Sequence, residues 1–393
     1  GFSGIEKYYE DDLRGKDGVE FHLVDIYGLD HGLIDEMSTI QPVPGKTIFL
    51  SIDSDLQAYI ESIFADKKGA VVCMDPLSGE VLAYVSYPDY DLNSFVGPVP
   101  KNIWKKWNEN QNSPLLNRVI QGLYPPGSTM KLIATALALE KNVVSKDWKV
   151  DCDGVYQLGD RNFRCWNKNG HGDVNMESAI LNSCNIYFYK LIQKMSFKDW
   201  QEMAKKFGFG LITDIDQFGE KKGNIPDKKY MNGKYGKYGW STGSLLTFVI
   251  GQGDVLVTPI QVAQMMNIIA SQGKTFTPKL NKNIISNEIN LKLKSSTWQF
   301  LQQALWGVVN DHKGTGKLAK IEGADVFGKT GTAQNPHGDD HSWFAGYMEI
   351  EGVGKISLSV LVENGGKGSL EGAMISKEIF SFYKNTIYDK SSV

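Results

Sequence analysis

Three short polar motifs lie far apart in this chain of 393 residues, and they constrain its fold more than any other feature. They are S-T-M-K at 128–131, S-C-N at 183–185 and K-T-G-T at 329–332. The S-x-N and K-T-G patterns each occur once in the sequence. If the three motifs act together, the fold has to bring a helix start, a loop and a strand into one cleft.

The first motif pairs a serine with a lysine one helical turn later. Ser128 follows a Tyr-Pro-Pro-Gly turn and precedes a mostly apolar segment that predicts a helix over 130–140. Side chains at i and i+3 share one helix face, so we expect the Lys131 amine to reach the Ser128 hydroxyl. Alone, Ser128 is explained as well by a plain N-cap, and a second S-x-x-K at Ser271 fits a helix end and turn. The other two motifs favour catalysis.

These residue types suit acyl transfer to a serine. Lys131 accepts a proton only when it is neutral, which requires burial and a nearby cation to lower its pKa, and Lys329 is the predicted cation. The helix start also offers unpaired backbone N–H groups, where the oxyanion of a tetrahedral intermediate would be held. We therefore expect Ser128 to be the nucleophile and Lys131 the general base. This chemistry requires no metal or cofactor.

Composition sets the class of protein. Hydrophobic residues make up 41% of the chain and charged residues 22%, as in an ordinary globular protein with a substantial core. The formal charge of -3, from 42 basic and 45 acidic residues, gives no basic face, and nucleic-acid binding is set aside. No apolar run of about eighteen residues occurs and the chain begins at Gly1, so we expect a trimmed soluble piece without a signal peptide or membrane span.

The order of the periodic segments predicts an α+β fold, with an antiparallel sheet flanked by helices and a mainly helical subdomain beside it. Residues 1–45 show little core pattern and end in a Pro-Val-Pro-Gly turn, so we expect a small non-catalytic segment there and a catalytic domain over 46–393. Strands are predicted at 47–52, 69–75, 80–86, 325–332, 342–351 and 355–363, and further helices at 53–64, 176–194, 259–271 and 377–388.

The three motifs together resemble the signature of penicillin-binding proteins and serine β-lactamases. Four more segments are similar to the transpeptidase domain of class B penicillin-binding proteins, above all the elongation-type penicillin-binding protein 2 subfamily. They are G-I-E-K-Y-Y at 4–9, L-Y-P-P-G at 123–127, I-G-Q-G at 250–253 and V-T-P-I-Q at 257–261. The resemblance extends over nearly the whole chain and implies the penicillin-binding transpeptidase fold, with residues 1–45 as the remnant of a pedestal domain.

The resemblance also implies a reaction. Ser128 would attack the D-Ala-D-Ala bond of a peptidoglycan stem peptide, release D-Ala and pass the acyl group to an amine of another stem, with D,D-carboxypeptidase activity on the side. β-Lactams would acylate the same serine. The N–H groups of Ser128 and Thr332 would form the oxyanion hole, and Ser183 and Asn185 would relay protons and orient the substrate amide. The substrate carboxylate would be held by the third motif, Lys329, Thr330, Gly331 and Thr332.

Partners and location follow from the same resemblance. It implies an inner-membrane anchor in an N-terminal helix that this chain lacks, with the catalytic domain on the periplasmic face. It also implies two protein partners, a glycosyltransferase of the SEDS type and an elongasome scaffold protein. Two other functions share the motifs: a serine β-lactamase, although no clear deacylating Glu is present, and a non-catalytic β-lactam sensor or scaffold.

Three of the four cysteines lie in one window with a histidine, in the pattern C-x12-C-x5-H-x12-C formed by Cys152, Cys165, His171 and Cys184. Three thiolates and an imidazole are a standard closed zinc set. The spacing is not a common finger pattern, so a disulfide or plain buried thiols remain open. The resemblance favours structural zinc, because elongation-type penicillin-binding proteins can carry a zinc site at these four positions. Cys73, on a predicted hairpin, is interpreted as core packing.

Two other segments are weaker candidates for the cleft, 341–344 after the K-T-G strand and the Gly- and aromatic-rich 235–242. The alternative is an exposed loop leading into a strand for 341–344 and a plain surface loop for 235–242.

Overall fold

The computed structural model describes residues 1–34, 39–335 and 338–391. The helices α1 to α14 span Gly4–Tyr8, Glu10–Leu13, Ser54–Phe64, Lys101–Asn108, Arg118–Gln121, Lys131–Glu140, Met176–Leu181, Asn185–Ile192, Phe197–Lys206, Lys228–Tyr235, Thr242–Val249, Pro259–Ala270, Ser295–Asn310 and Glu371–Ser391. The strands β1 to β13 span His22–Val24, Asp30–Leu33, Gly69–Met74, Val81–Tyr87, Val150–Cys152, Val155–Leu158, Arg161–Arg164, Gly172–Val174, Lys274–Phe276, Glu288–Asn290, Asp325–Ala333, His341–Ile350 and Gly354–Val362. Short 3-10 helices lie at Leu92–Phe95, Gly127–Met130 and Lys317–Ala319.

A five-stranded antiparallel sheet in the order β11-β12-β13-β3-β4 forms the centre of the fold. Successive side chains of a strand point to opposite faces, and β12 follows this rule. Phe344 and Met348 pack in the cluster that contains α3 and α14, whereas Trp343 and Tyr347 pack in the cluster of the helical half. The sheet is therefore buried on both faces, which explains why β3 is apolar along its whole length and why β13 is buried from Ile356 to Val362.

The helical half is built around two apolar helices. Eight consecutive residues of α6, from Lys131 to Ala138, are buried, and α12 is buried along its whole length from Pro259 to Ala270. A helix that is apolar all round belongs in a core. The predicted α+β fold, with a sheet and a mainly helical half, is confirmed.

Two predicted elements are wrong, and each has a physical cause. Residues 47–52 form no strand: Leu50 makes an isolated bridge to Asn281, and Ser51 N–H bonds Leu280 O, because the neighbouring segment is too irregular for a ladder. The predicted helix over 176–194 is two helices, α7 and α8, because Ser183 has φ 52°, in the left-handed region that ends a helix. The last helix begins at Glu371, earlier than the predicted 377.

The first part of the chain is largely exposed. The β1–β2 hairpin buries no residue, and Leu23, Leu29 and Leu33 face solvent. A buried hydrogen bond attaches this first part to the rest of the chain: the Tyr9 hydroxyl donates to Asp216 Oδ2 over 2.8 Å, and the same carboxylate accepts from two backbone N–H groups. The boundary at residue 45 stays a prediction. Within the described ranges, no helix is both long enough and apolar enough to cross a bilayer.

Candidate active site

Ser128 lies in the 3-10 turn that leads into α6, packed directly against the K-T-G strand β11. Gly127, the residue before it, has φ +57°, and a Cβ there would lie 2.8 Å from the backbone oxygen of Thr332. Gly251 crosses the same turn and accepts a hydrogen bond from Gly127 N–H over 2.9 Å. Glycine is required at both positions because backbones meet there. The nucleophile turn and the strand are thus fixed against each other.

Lys131 is fully buried, and its amine points at the second motif. Nζ lies 2.7 Å from Ser183 O, 2.7 Å from Asn185 Oδ1 and 3.2 Å from Ser183 Oγ. Burial lowers the pKa of Lys131 to about 8. The carbonyl and amide oxygens only accept hydrogen bonds, so they take two N–H bonds of the amine. A neutral amine has two N–H bonds, so its lone pair remains available for a proton.

Ser183 connects the two lysines. Its hydroxyl is 3.2 Å from Lys131 Nζ and 3.1 Å from Lys329 Nζ, and all three residues are buried. Burial, and secondly the charge of Lys131, lowers the pKa of Lys329. The left-handed conformation of Ser183 is unusual for a residue with a side chain, and such strain persists where the surrounding structure holds it. The loop after α7 is therefore built to place this one hydroxyl.

The predicted role of Lys329 as the cation that lowers the pKa of Lys131 is only partly matched by this geometry. Burial is the main cause of the shift at Lys131, and the repulsion between the amines falls on Lys329. Two ammonium groups sharing one hydroxyl repel each other, so the pair favours a state with one proton fewer.

The third motif lies on β11, the edge strand of the sheet. Thr332 O accepts from the Gln252 side chain, so it points away from β12. In a strand the N–H and C=O of one residue point to the same side, and Thr332 N–H therefore faces the nucleophile turn. A Cβ on Gly127 would lie 3.0 Å from that nitrogen. The unpaired edge leaves backbone groups for an extended peptide substrate.

The threonine hydroxyls of β11 are oriented by neighbouring groups. Thr330 Oγ1 hydrogen-bonds Thr315 Oγ1 over 3.0 Å, and Thr332 Oγ1 accepts from Gly368 N–H over 3.1 Å. Because a hydroxyl has one proton and two lone pairs, the Thr332 hydroxyl keeps its proton for another acceptor. This arrangement can bind a carboxylate.

Gln252 and Thr315 lie beside the motifs but were not among the predicted site residues. The Gln252 side chain is 7% exposed and hydrogen-bonds two backbone groups of the K-T-G segment, donating to Thr332 O over 2.8 Å and accepting from Gln334 N–H over 3.2 Å. The signal for Gln252 was present in the I-G-Q-G segment, which had been used only for resemblance. Nothing in the sequence pointed to Thr315.

The structure brings the three motifs together, with one difference from the predicted contacts. Within the described ranges Ser128 Oγ has no hydrogen-bond partner, and Lys131 Nζ is bonded to Ser183 and Asn185 instead. Catalytic hydrogen bonds are often long before substrate binds. Ser271 lies at the end of α12 with its hydroxyl bonded to Asn267 O, which is the helix-end role predicted for it.

The two weaker candidate segments, 341–344 and 235–242, have different outcomes. Residues 341–344 begin β12, which matches the strand predicted at 342–351, and Trp343 is buried and donates from Nε1 to Pro125 O over 3.0 Å, so the segment is a strand and not an exposed loop before it. Residues 235–242 join α10 to α11 with Tyr238 exposed, and a role beside the cleft stays a prediction.

The cysteine window forms one compact cluster directly behind the second motif. The ligand atoms of Cys152, Cys165, His171 and Cys184 all lie within 4.8 Å of one another. His171 Nδ1 is 3.5 Å from the sulfur atoms of Cys152 and Cys165. In tetrahedral zinc sites with Zn–S near 2.3 Å and Zn–N near 2.0 Å, ligand atoms are about 3.5–3.8 Å apart, so the donor set fits zinc and the two His171–sulfur distances match its spacing.

The remaining thiol contacts also bear on the active site. All four cysteines are free thiols, and Cys73 is fully buried in the core as expected. Cys165 Sγ accepts from Asn185 N–H over 3.4 Å, and Cys184 separates Ser183 from Asn185. The cluster therefore holds both sides of the S-x-N motif.

Comparison with known proteins agrees with the geometry of the site. The family model of the penicillin binding protein transpeptidase domain matches residues 69–381. The peptidoglycan D,D-transpeptidase MrdA of Haemophilus influenzae is 34% identical over 97% of this chain and 62% of its own length. The chain spans about three fifths of the length of the curated relatives it matches.

Solved structures agree with the family match. Pseudomonas aeruginosa PBP2, solved in complex with WCK 5153, superposes with a TM-score of 0.85 at 34% identity, over 98% of this chain and 83% of that one. Helicobacter pylori PBP2, solved in complex with MreC, gives 0.88 at 31% identity, over 97% and 72%. The chain belongs to the penicillin-binding protein transpeptidase family.

Proposed function

We propose that this chain is the catalytic part of a peptidoglycan D,D-transpeptidase of the elongation type. One observation carries the proposal: the Ser183 hydroxyl bridges two buried lysine amines beside the turn that presents Ser128. Such a cluster can move a proton between a nucleophile and a leaving amine. The names of its relatives, MrdA and PBP2, support the same activity.

Acylation starts at the Ser128 hydroxyl. Its oxygen attacks the carbonyl carbon of the penultimate D-Ala of a stem peptide, and the neutral Lys131 amine takes the proton. The negative charge that develops on the carbonyl oxygen is held by the N–H groups of Ser128 and Thr332, each worth about 10²–10³ in rate. The C–N bond then breaks, and the departing D-Ala amine receives the proton through the Ser183 hydroxyl.

Deacylation repeats these steps in reverse. The amine of a second stem peptide attacks the ester carbon, the C–O bond to Ser128 breaks, and the proton of the amine passes through the same hydroxyl and lysine to the Ser128 oxygen. Lys329, Thr330 and Thr332 hold the carboxylate of the donor substrate, while Asn185 orients its amide. β-Lactams acylate Ser128 by the same attack, because their ring carbonyl takes the place of the scissile amide.

We also propose that Cys152, Cys165, His171 and Cys184 hold a structural zinc ion. Zinc would supply a cross-link between the paired strands β5 and β8, the segment between them and the S-x-N loop, and it takes no part in the reaction. The fully buried Cys184 and the position of His171 Nδ1, 3.5 Å from two sulfur atoms, support binding through Nδ1 in a dry site. In small peptides a structural zinc ion contributes about 10–16 kcal/mol to folding.

Location and partners belong to the proposal as well. We place the chain on the periplasmic face of the inner membrane, anchored by a segment outside this sequence. A PBP2 has been solved with MreC, which supports a scaffold protein as partner, and a glycosyltransferase of the SEDS type completes the machinery. Residues 1–45, with their exposed hairpin, would belong to the pedestal.

Incubation with fluorescent penicillin and with paired stem peptides tests the function. A transpeptidase keeps the label for many minutes, releases D-Ala and forms cross-linked dimers. Rapid loss of label with hydrolysed penicillin would instead identify a β-lactamase. Stable label without D-Ala release from any stem peptide would identify a sensor or scaffold.

A further inference from the structure

A buried carboxylate lies behind the nucleophile turn and has no part in the chemistry described above. Glu363 Oε1 accepts from the Tyr124 hydroxyl over 2.7 Å and from Arg118 Nε over 2.8 Å. Its other oxygen pairs with Lys68 Nζ at 3.1 Å. Arg118 is 1% exposed, Tyr124 7% and the Glu363 side chain 11%. Charged groups this deeply buried are kept only where their partners are fixed.

Glu363 Oε1 thus binds both ends of segment 118–124, which enters the turn. We call Glu363, Arg118 and Tyr124 the Glu363 clamp. Arg118 begins α5, and Tyr124 stands four residues before Ser128. The chain between them folds over the tyrosine ring, since a Cβ on Gly122 would lie 2.5 Å from Tyr124 Cε2. Glu363 itself follows β13, and its N–H donates to Lys68 O. The clamp is therefore attached to the central sheet.

The clamp continues towards the K-T-G strand. The Tyr124 ring packs edge-on against His341 and Trp343, with ring centroids 5.6 and 6.3 Å away. Trp343 lies opposite Gly331 in the sheet and donates to Pro125 O. The tyrosine ring therefore contributes to how the turn before Ser128 sits on the strand that carries the oxyanion N–H, together with the backbone bonds of Tyr124 to Val257 and of Gly127 to Gly251.

We propose that Glu363, acting through the Tyr124 hydroxyl, is a positioning residue for the nucleophile. This inference rests on the proposed acyl transfer at Ser128. The clamp touches neither substrate nor reacting atoms, so its loss acts on the acylation step and leaves substrate affinity unchanged. A misplacement of about 1 Å in a catalytic group can cost about 10² in rate.

The test is Tyr124→Phe, which removes one oxygen atom and keeps the ring. Its matched control is Tyr9→Phe, because the Tyr9 hydroxyl makes the same type of buried bond, to Asp216 over 2.8 Å, far along the chain from the turn. Stopped-flow acylation with a chromogenic cephalosporin separates the dissociation constant from the acylation rate constant. We expect Tyr124→Phe to lower the rate constant about tenfold, with a dissociation constant within about twofold of wild type. Tyr9→Phe should lower melting temperature to a similar extent and leave both constants unchanged.

Three outcomes would overturn the proposal: an unchanged acylation rate in Tyr124→Phe, an equal loss of rate in Tyr9→Phe, or an effect on the dissociation constant alone. Glu363→Leu removes the acceptor of the Tyr124 hydroxyl and should reproduce the rate loss if the variant folds, whereas Glu363→Gln keeps an amide oxygen that can accept this bond and should lose less. If wild type is not acylated at all, the proposed function fails and the positioning claim is still decided by hydrogen exchange. Amides 127–130 should then exchange faster in Tyr124→Phe than in Tyr9→Phe, and equal exchange would refute the clamp.

Discussion

Replacing Gln252 with leucine should slow acylation far more than it destabilises the protein. The side chain is 7% exposed and joins two backbone groups of the K-T-G segment, Thr332 O at 2.8 Å and Gln334 N–H at 3.2 Å. Leucine has a similar size and makes neither bond. Gln252→Leu therefore frees the end of the strand that carries the Thr332 N–H.

The expected magnitudes follow from these contacts. Each of the two hydrogen bonds contributes about 1 kcal/mol net, so the free energy of unfolding should fall by about 2 kcal/mol, and no penalty for an unpaired buried group is added because Thr332 is half-buried and Gln334 exposed. If Thr332 N–H moves out of the oxyanion position, the acylation rate should fall by about 10²-fold, the value of one such donor. Urea denaturation gives the first quantity and stopped-flow acylation with a chromogenic cephalosporin the second.

Gln261→Leu is the matched control. Gln261 is fully buried, donates to Lys222 O over 2.9 Å and accepts from Thr258 N–H over 3.0 Å, at the start of α12 and away from the K-T-G strand. It should lose at least as much stability and acylate at the wild-type rate. If folded Gln252→Leu protein acylates as fast as this control, the Gln252 bonds do not position the strand that carries the Thr332 N–H.

Other predictions concern the amine, the thiol cluster and the strand hydroxyls. Because burial lowers the pKa of Lys131 to about 8 and only the neutral amine accepts a proton, the acylation rate should rise as pH increases through about 8 and then level off. A rate that is flat from pH 6.5 to 9.5 would contradict that role. Cys165→Ser should lose bound zinc, melt at a lower temperature and acylate more slowly, whereas the control Cys73→Ala should keep its metal. Native mass spectrometry measures the bound metal. A metal-free, fully active wild type would contradict the zinc proposal. Thr315→Val removes the hydrogen-bond partner of the Thr330 hydroxyl. The dissociation constant for β-lactams should rise about fivefold, which corresponds to about 1 kcal/mol for one hydrogen bond, and the acylation rate constant should stay unchanged. An unchanged dissociation constant would exclude a role of Thr315 in carboxylate binding.

Local patterns predicted those parts of the fold that depend on short-range periodicity. The hairpin at β3 and β4, the strands β11 to β13 and the helix α12 all carry a continuous apolar or alternating signal, and the structure has them close to the predicted bounds. The segment 47–52 carries a similar signal and is no strand, because a strand also needs a regular neighbour, and that neighbour comes from residues 279–282 far along the chain.

The site was predicted as a set of residues and not as a set of contacts. S-x-N and K-T-G placed Ser183 and Lys329 in one cleft with Ser128, and the structure has them there. The bond from Lys131 to Asn185 could not be inferred, because it depends on the left-handed Ser183 that breaks the expected helix. Gln252 and the Glu363 clamp act through backbone and ring contacts between distant segments, for which a single sequence gives no periodic signal.

Mass spectrometry of the penicillin-treated protein tests the central claim most directly. Acyl transfer at the Ser128 hydroxyl predicts one adduct per chain, located by peptide mapping to the peptide that contains Ser128, and no adduct in Ser128→Ala. An adduct on another residue, or an adduct retained in Ser128→Ala, would contradict the assignment.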